Sequence, residues 1–123
     1  MTDDSSILGS VTVYRRIQAV YLDFDVNGKP VMSDGAFRTK ELSVRRCDKV
    51  SEAEMLKEEN PTDGLAQITI QAIRDAGCIV VYHEPPDRHI CAYRKDAPGT
   101  RISSSSANKM SRAATWVKLP QKP

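Results

Sequence analysis

Two histidines, a cysteine and a serine are the residues here best suited to move a proton or hold a ligand. His83 and His89 flank a Pro85-Pro86 pair, and Cys91 follows two residues after His89. Imidazole titrates near neutral pH, and both imidazole and thiolate ligate zinc, so the trio could form an acid–base or metal cluster. The spacing matches no standard zinc site, and two histidines in 123 residues is a background frequency. The reading is therefore no metal and no cofactor, with His89 and Ser43 as candidate catalytic residues, His89 for acid–base work and Ser43 for a ligand hydrogen bond.

A second group of residues could bind anions. Arg15-Arg16 and Arg45-Arg46 each end a strand-like stretch. The planar guanidinium suits carboxylate or phosphate, so the two pairs could converge on one phosphate-bearing ligand. Residues 86–123 carry 8 basic and 2 acidic side chains, against 10 and 14 in residues 1–85, so the C-terminal third stands at +6 and the remainder at −4. Arg94, Lys95 and Arg101 lie in this third and join Arg15 and Arg16 as candidates for anion or nucleic-acid binding. Tyr93 and Trp116 could stack on bases, but Trp116 sits between Thr115 and Val117 and reads first as a packing residue. A pI near 8.5 also falls short of the value above about 9 that marks nucleic-acid binders.

These side chains must be positioned by sheet and helix. Residues 11–17 are β-like, and residues 19–25 and 29–33 flank Asn27-Gly28, the signature of a two-residue type I′ hairpin. A strand is expected over 37–44. Ser51 and Glu54 form a capping box that opens a helix over 52–59, stopped by Pro61. Thr62 or Asp63 could cap a second helix, because Leu65, Ile68, Ala72, Ile73 and Ala76 recur on one helical stripe, with Gly77 placed as its C′ residue. The apolar run 78–82 reads as a strand buried on both faces and hence central, and 88–94 as its neighbour. The serines 103–106 read as a mobile patch, followed by a short helix over 106–114 and a terminal strand over 116–119.

The composition, 40% hydrophobic and 28% charged, is that of a folded domain rather than a disordered chain. We expect one α+β domain over 11–120, preceded by a disordered segment 1–10 and followed by a tail 121–123. Its sheet should be mixed and mostly antiparallel, with four to six strands and two or three helices. Asp3 and Asp4 stand where a secretory signal would be basic, and no apolar run approaches the roughly 18 residues of a membrane span. Three scattered cysteines, Cys47, Cys78 and Cys91, suggest neither a disulfide framework nor a zinc knuckle, and the expected setting is the cytoplasm.

The succession Tyr14-Arg15-Arg16-Ile17, Ala36-Phe37, Glu41-Leu42-Ser43-Val44, Gly77, Val80-Val81, Pro86, His89, Ala114, Trp116, Val117 and Pro120 resembles a group of short bacterial open reading frames. The resemblance covers most of residues 13–120 and implies a single-domain bacterial or phage protein. It carries no assigned activity, but draws notice to Arg15, Arg16, Ser43 and His89.

No phosphate loop, His-Glu-x-x-His, nucleophile elbow or paired-cysteine site is present, which weighs against an enzyme. The favoured reading is a non-enzymatic interaction module that binds a protein partner or nucleic acid, without a membrane, in a bacterial accessory or defence locus. The alternative is a small enzyme acting on RNA or a nucleotide, with His89 as acid–base, Arg15 or Arg16 as phosphate clamp and Ser43 as a ligand donor. A third reading, a subunit stable only in a complex, predicts a large exposed apolar patch. The first two differ in geometry: the enzyme needs His89, Ser43 and Arg15 in one cleft.

Overall fold

The structure, a computed structural model, describes residues 1–56, 62–84 and 88–121. Its frame is a six-stranded antiparallel sheet built from β1 (Thr12–Ile17), β4 (Leu42–Arg46), β5 (Gly64–Thr69), β6 (Cys78–His83), β7 (His89–Arg94) and β8 (Thr115–Lys118), in the order β6-β7-β4-β1-β5-β8. A hairpin of β2 (Leu22–Phe24) and β3 (Pro30–Met32) forms a separate two-stranded sheet. The helices are α1 (Glu52–Met55), α2 (Ile70–Asp75) and α3 (Ser104–Ala113), with 3-10 turns at Ala19–Tyr21 and Asp34–Phe37. The fold is a single compact α+β domain, and every strand pairing in the large sheet is antiparallel.

The period of two along each strand divides the side chains between two faces. Val13 and Ile17 of β1, Leu42 and Val44 of β4, Ala66 and Ile68 of β5, and Ile90 and Ala92 of β7 share one core with Ile70 and Ile73 of α2 and Ala107 and Met110 of α3. On the opposite face Tyr14, Leu65, Val50 and Met55 form a smaller core, so α1 covers β1 and β5. Ile79, Cys91 and Tyr93 form a third cluster on the β7 and β6 half of that face.

Several expectations are corrected. Residues 65–69 are strand, and α2 begins only at Ile70, capped by Thr69 rather than Thr62 or Asp63. The spacing of Leu65 and Ile68 fits a helix, but β5 lies between β1 and β8, where Leu65 and Ile68 fill opposite faces. The apolar run of β6 lies at the edge of the sheet, not its centre. Its outer side is covered by the first residues: Asp4 N–H donates to Val80 O (2.8 Å), Val80 N–H donates to Asp3 Oδ1 (2.9 Å), and Arg74 pairs with Asp3 at 3.2 Å. Ile7 is fully buried and Gly9 O accepts from Gln71 N–H, so the segment expected to be disordered is docked through residues 3–9, although Met1 and Leu8 stay exposed.

The hairpin turn holds three residues instead of two. Gly28 N–H donates to Asp25 O, Asp25 N–H donates to Lys29 O, and Gly28 has φ +77°, which only a residue without Cβ adopts freely. Residues 19–21 leave the expected first strand for a 3-10 turn, as do 34–37 at the start of the expected 37–44 strand. The serine patch is the first turn of α3, with the Ser103 hydroxyl accepting from Ser106 N–H.

The Ser51–Glu54 capping box forms as expected, while 57–59 of the expected helix lie outside the described residues, as do Pro61 and the Pro85-Pro86 turn. Gly77 closes α2 with φ +99°. Cys47, Cys78 and Cys91 are free, and no helix among the described residues is long and apolar enough to cross a membrane.

Candidate functional site on the open half of the sheet

Register brings the chemistry together. β4 and β7 pair Ser43 with Cys91 and Arg45 with His89, and β7 and β6 pair His89 with His83 and Cys91 with Val81. All these residues project from the face opposite the main core, on the half that α1 leaves open. Ser43, His83 and Glu41 are exposed and His89 is half-buried, whereas Cys91 lies fully buried at the floor.

His89 is held at both nitrogens. Nδ1 lies 2.8 Å from the carbonyl oxygen of Glu84, which can only accept, so the proton of the neutral ring sits on Nδ1. Nε2 then carries the lone pair and accepts from the Ser43 hydroxyl at 2.5 Å. A base oriented by a third group and in contact with a hydroxyl is the geometry of proton transfer. The His83 ring stands edge-on to His89, centroids 5.2 Å apart. Cys91 Sγ is 3.7 Å from His89 Nε2, and its thiol donates to Glu41 Oε1 at 3.2 Å. Burial and that carboxylate push the thiol up to about 12, with the Tyr93 hydroxyl and then Arg45 pulling in the opposite sense. Burial and the neighbouring thiol and carboxylate also push Tyr93 up to about 12.

The arginine pairs do not converge, because adjacent residues on a strand face opposite ways. Arg16 and Arg45 emerge on the site's face, Arg15 and Arg46 on the other. Arg46 is spent on Asp48 and on the Tyr82 hydroxyl (2.6 Å). Arg16 donates twice to the carbonyl of Met55 at the end of α1. Arg15 fills the gap where β1 and β4 part beyond the Tyr14–Arg45 pair, donating to Ala36 O and Ser43 O, both at 3.0 Å. Burial lowers its pKa to about 10. Ser43 thus meets His89 through its hydroxyl and Arg15 through its backbone, but Arg15 does not share the His89 cleft, so the expected cleft of His89, Ser43 and Arg15 is not formed. The phosphate clamp is corrected with it: Arg15 lies on the other face, Arg16 is held by Met55 O, and the arginine beside His89 is Arg45. The Arg45 side chain, directly across from His89, has neither hydrogen bond nor ion pair among the described residues.

Elsewhere, Arg94 pairs with Asp96 at 2.7 Å, Arg101 donates to Arg38 O, and Lys95 is exposed. Trp116 packs at the edge of the main core, its indole Nε1 buried without a partner. Arg15, Arg16, Gln18, Tyr21, Thr39 and Asp63 line a cavity of about 330 Å³. A larger one, about 500 Å³, lies between β3, α3 and Trp116 but holds no histidine, cysteine or carboxylate, so the open sheet face is the better site despite lacking walls. No protein-family model, curated protein or solved structure matches the chain.

Sequence reasoning named His89 and Ser43, and the structure brings them into contact. It weighed Arg45 only as half of a pair and passed over Glu41. Alternation from Val44 and Ile90 would have put Arg45, Ser43, His89 and Cys91 on one face, but only the register shows which of them meet.

Proposed function

We propose that this chain is a small acid–base enzyme that cleaves RNA through the ribose 2′-hydroxyl. The observation that carries the reading is the 2.5 Å contact between His89 Nε2 and the Ser43 hydroxyl, with Nδ1 fixed by Glu84 O, directly across from the unpartnered Arg45. His89 Nε2 takes the proton of a 2′-hydroxyl that displaces Ser43 Oγ. The 2′-oxygen bonds to the adjacent phosphorus, and protonated His83 gives its proton to the 5′-oxygen as that bond breaks. Arg45 offsets the charge that develops on phosphorus. A wall-less sheet face suits a polymer better than a small molecule, which usually occupies an enclosed pocket. Unpaired cysteines support a cytoplasmic setting.

The test is cleavage of a single-stranded RNA oligonucleotide. His89→Gln and His83→Gln should each lower the rate about 10²–10⁴-fold, the usual contribution of an acid–base group. The pH profile should be bell-shaped, since one ring must be neutral while the other is charged. A 2′-deoxy residue at the scissile position should block cleavage. A deoxy substrate cut equally well, or a His89→Gln protein of full activity, refutes the reading.

A protein-binding module retains one specific observation. Val26 at the hairpin tip is 100% exposed, with Val20 at 73% and Phe24 at 53% nearby in the chain. If a protein docks there, Phe24→Ser with Val26→Ser abolishes its capture and leaves thermal stability unchanged.

A further inference from the structure

We infer that the open face binds one transition-metal ion, with zinc as the expected species, through His83, His89 and Cys91, and that the ion switches the acid–base pair off. The spacing His83-x5-His89-x-Cys91 looks unlike a zinc motif, but cross-strand pairing sets the two histidines side by side, and the pleat returns Cys91 to their face. One ligand atom from each lies within 4.8 Å of the others. Zinc–nitrogen and zinc–sulfur bonds of about 2.0–2.3 Å in a tetrahedral site bring ligand atoms to about 3.3–3.8 Å. The Cys91 Sγ to His89 Nε2 separation of 3.7 Å already meets that. The remaining approach, on the order of 1 Å, falls to His83, an exposed side chain at the end of β6 that can rotate.

Protonation fits as well. Cys91 is a thiol and must lose its proton to ligate, and it already directs that proton at Glu41 Oε1, 3.2 Å away. Metal binding forms the metal–sulfur bond and releases one proton, through Glu41, to water. His89 has a single lone pair at Nε2, so the ion displaces the Ser43 hydrogen bond and occupies the atom that would accept a substrate proton. Both histidines are then unavailable. This regulatory consequence rests on the RNA-cleavage reading; the metal site does not.

The experiment measures binding first, without RNA, on chelator-stripped protein. Titration with zinc should give one equivalent, with about one proton released at neutral pH. Cobalt should give a thiolate charge-transfer band. His83→Gln, at an exposed position, should weaken zinc at least about tenfold while the thermal midpoint holds, and Cys91→Ala should remove the cobalt band. Absence of saturable zinc binding, or zinc affinity untouched by His83→Gln, overturns the site. In the cleavage assay zinc should inhibit the wild type, and the zinc concentration that halves the zinc-free rate, measured for each protein against its own rate, should rise at least about tenfold in Cys91→Ala. Stoichiometric zinc without any cleavage leaves the metal site standing and sinks the enzyme reading. Cleavage without zinc binding does the reverse.

Discussion

Cys91 shows how a sheet can hold a reactive group in reserve. Cys78 and Cys91 are nearly or wholly sealed from solvent, and burial lifts their pKa values from 9.0 to about 11 and about 12. Above about pH 9 the unfolded chain gives up thiol protons that the folded chain keeps, so the unfolded state binds fewer protons and stability falls as pH rises. Stability should be insensitive to these groups below about pH 9 and decline from there toward pH 11–12. Thermal midpoints between about pH 8 and about pH 11 should show that decline, and a Cys78→Ala, Cys91→Ala protein should show a shallower one. Much at this scale was legible in the sequence: Ser43 and His89 were singled out for their chemistry, and both prove to lie on one face. The partners were not legible. Glu84 reaches His89 through its backbone, a contact that carries no side-chain signal, and Arg45 stands free because Arg46, the next residue, turns to the other face and takes Asp48 and Tyr82.

At the scale of elements, the segment around Thr69 is the instructive case. Leu65, Ile68, Ala72 and Ile73 satisfy a helical stripe, yet the first two belong to β5 and the last two to α2. A short apolar run fits both periods, and pairing with β1 and β8 decides it. Whichever element holds it, Ile68 is core, 3% exposed, and Ile68→Ala should cost about 2–5 kcal/mol in chemical denaturation. Thr69→Ala, which removes the bond to Ala72 N–H, should cost about 0.5–2 kcal/mol by the same measurement. Where local chemistry is self-contained, the sequence suffices: the Ser51–Glu54 box and Gly77 act within a few residues of themselves. The apolar run of β6 reflects side chains packed on both faces, Cys78 and Val80 in the main core and Ile79 in the third cluster, which does not require a central position; the outer backbone edge is covered by Asp3 and Asp4.

The charge of the whole molecule is less concentrated than its sequence suggests. Arg94 is offset by Asp96 and Arg101 is tied to Arg38, which leaves Lys95 the freest of the three candidate cations. Binding of single-stranded RNA should weaken with salt, each phosphate contact adding about 0.7 to the slope of log K against log salt. Fluorescence anisotropy should then show Lys95→Ala and Arg45→Ala flattening that slope more than Arg94→Ala. Topology sets the folding speed as well: in the order β6-β7-β4-β1-β5-β8, β1 pairs with β4 and β5, so the central contacts are distant in sequence, and stopped-flow refolding should take milliseconds to seconds. The docking of Asp3 and Asp4 on Val80 adds a constraint of timing. On a ribosome that adds about 5–20 residues per second, residues 3–7 wait several seconds for the strand they must cover. During that wait neither Ile7 nor the outer edge of β6 is shielded, and a chain stalled before residue 83 presents an aggregation-prone surface to any holdase nearby.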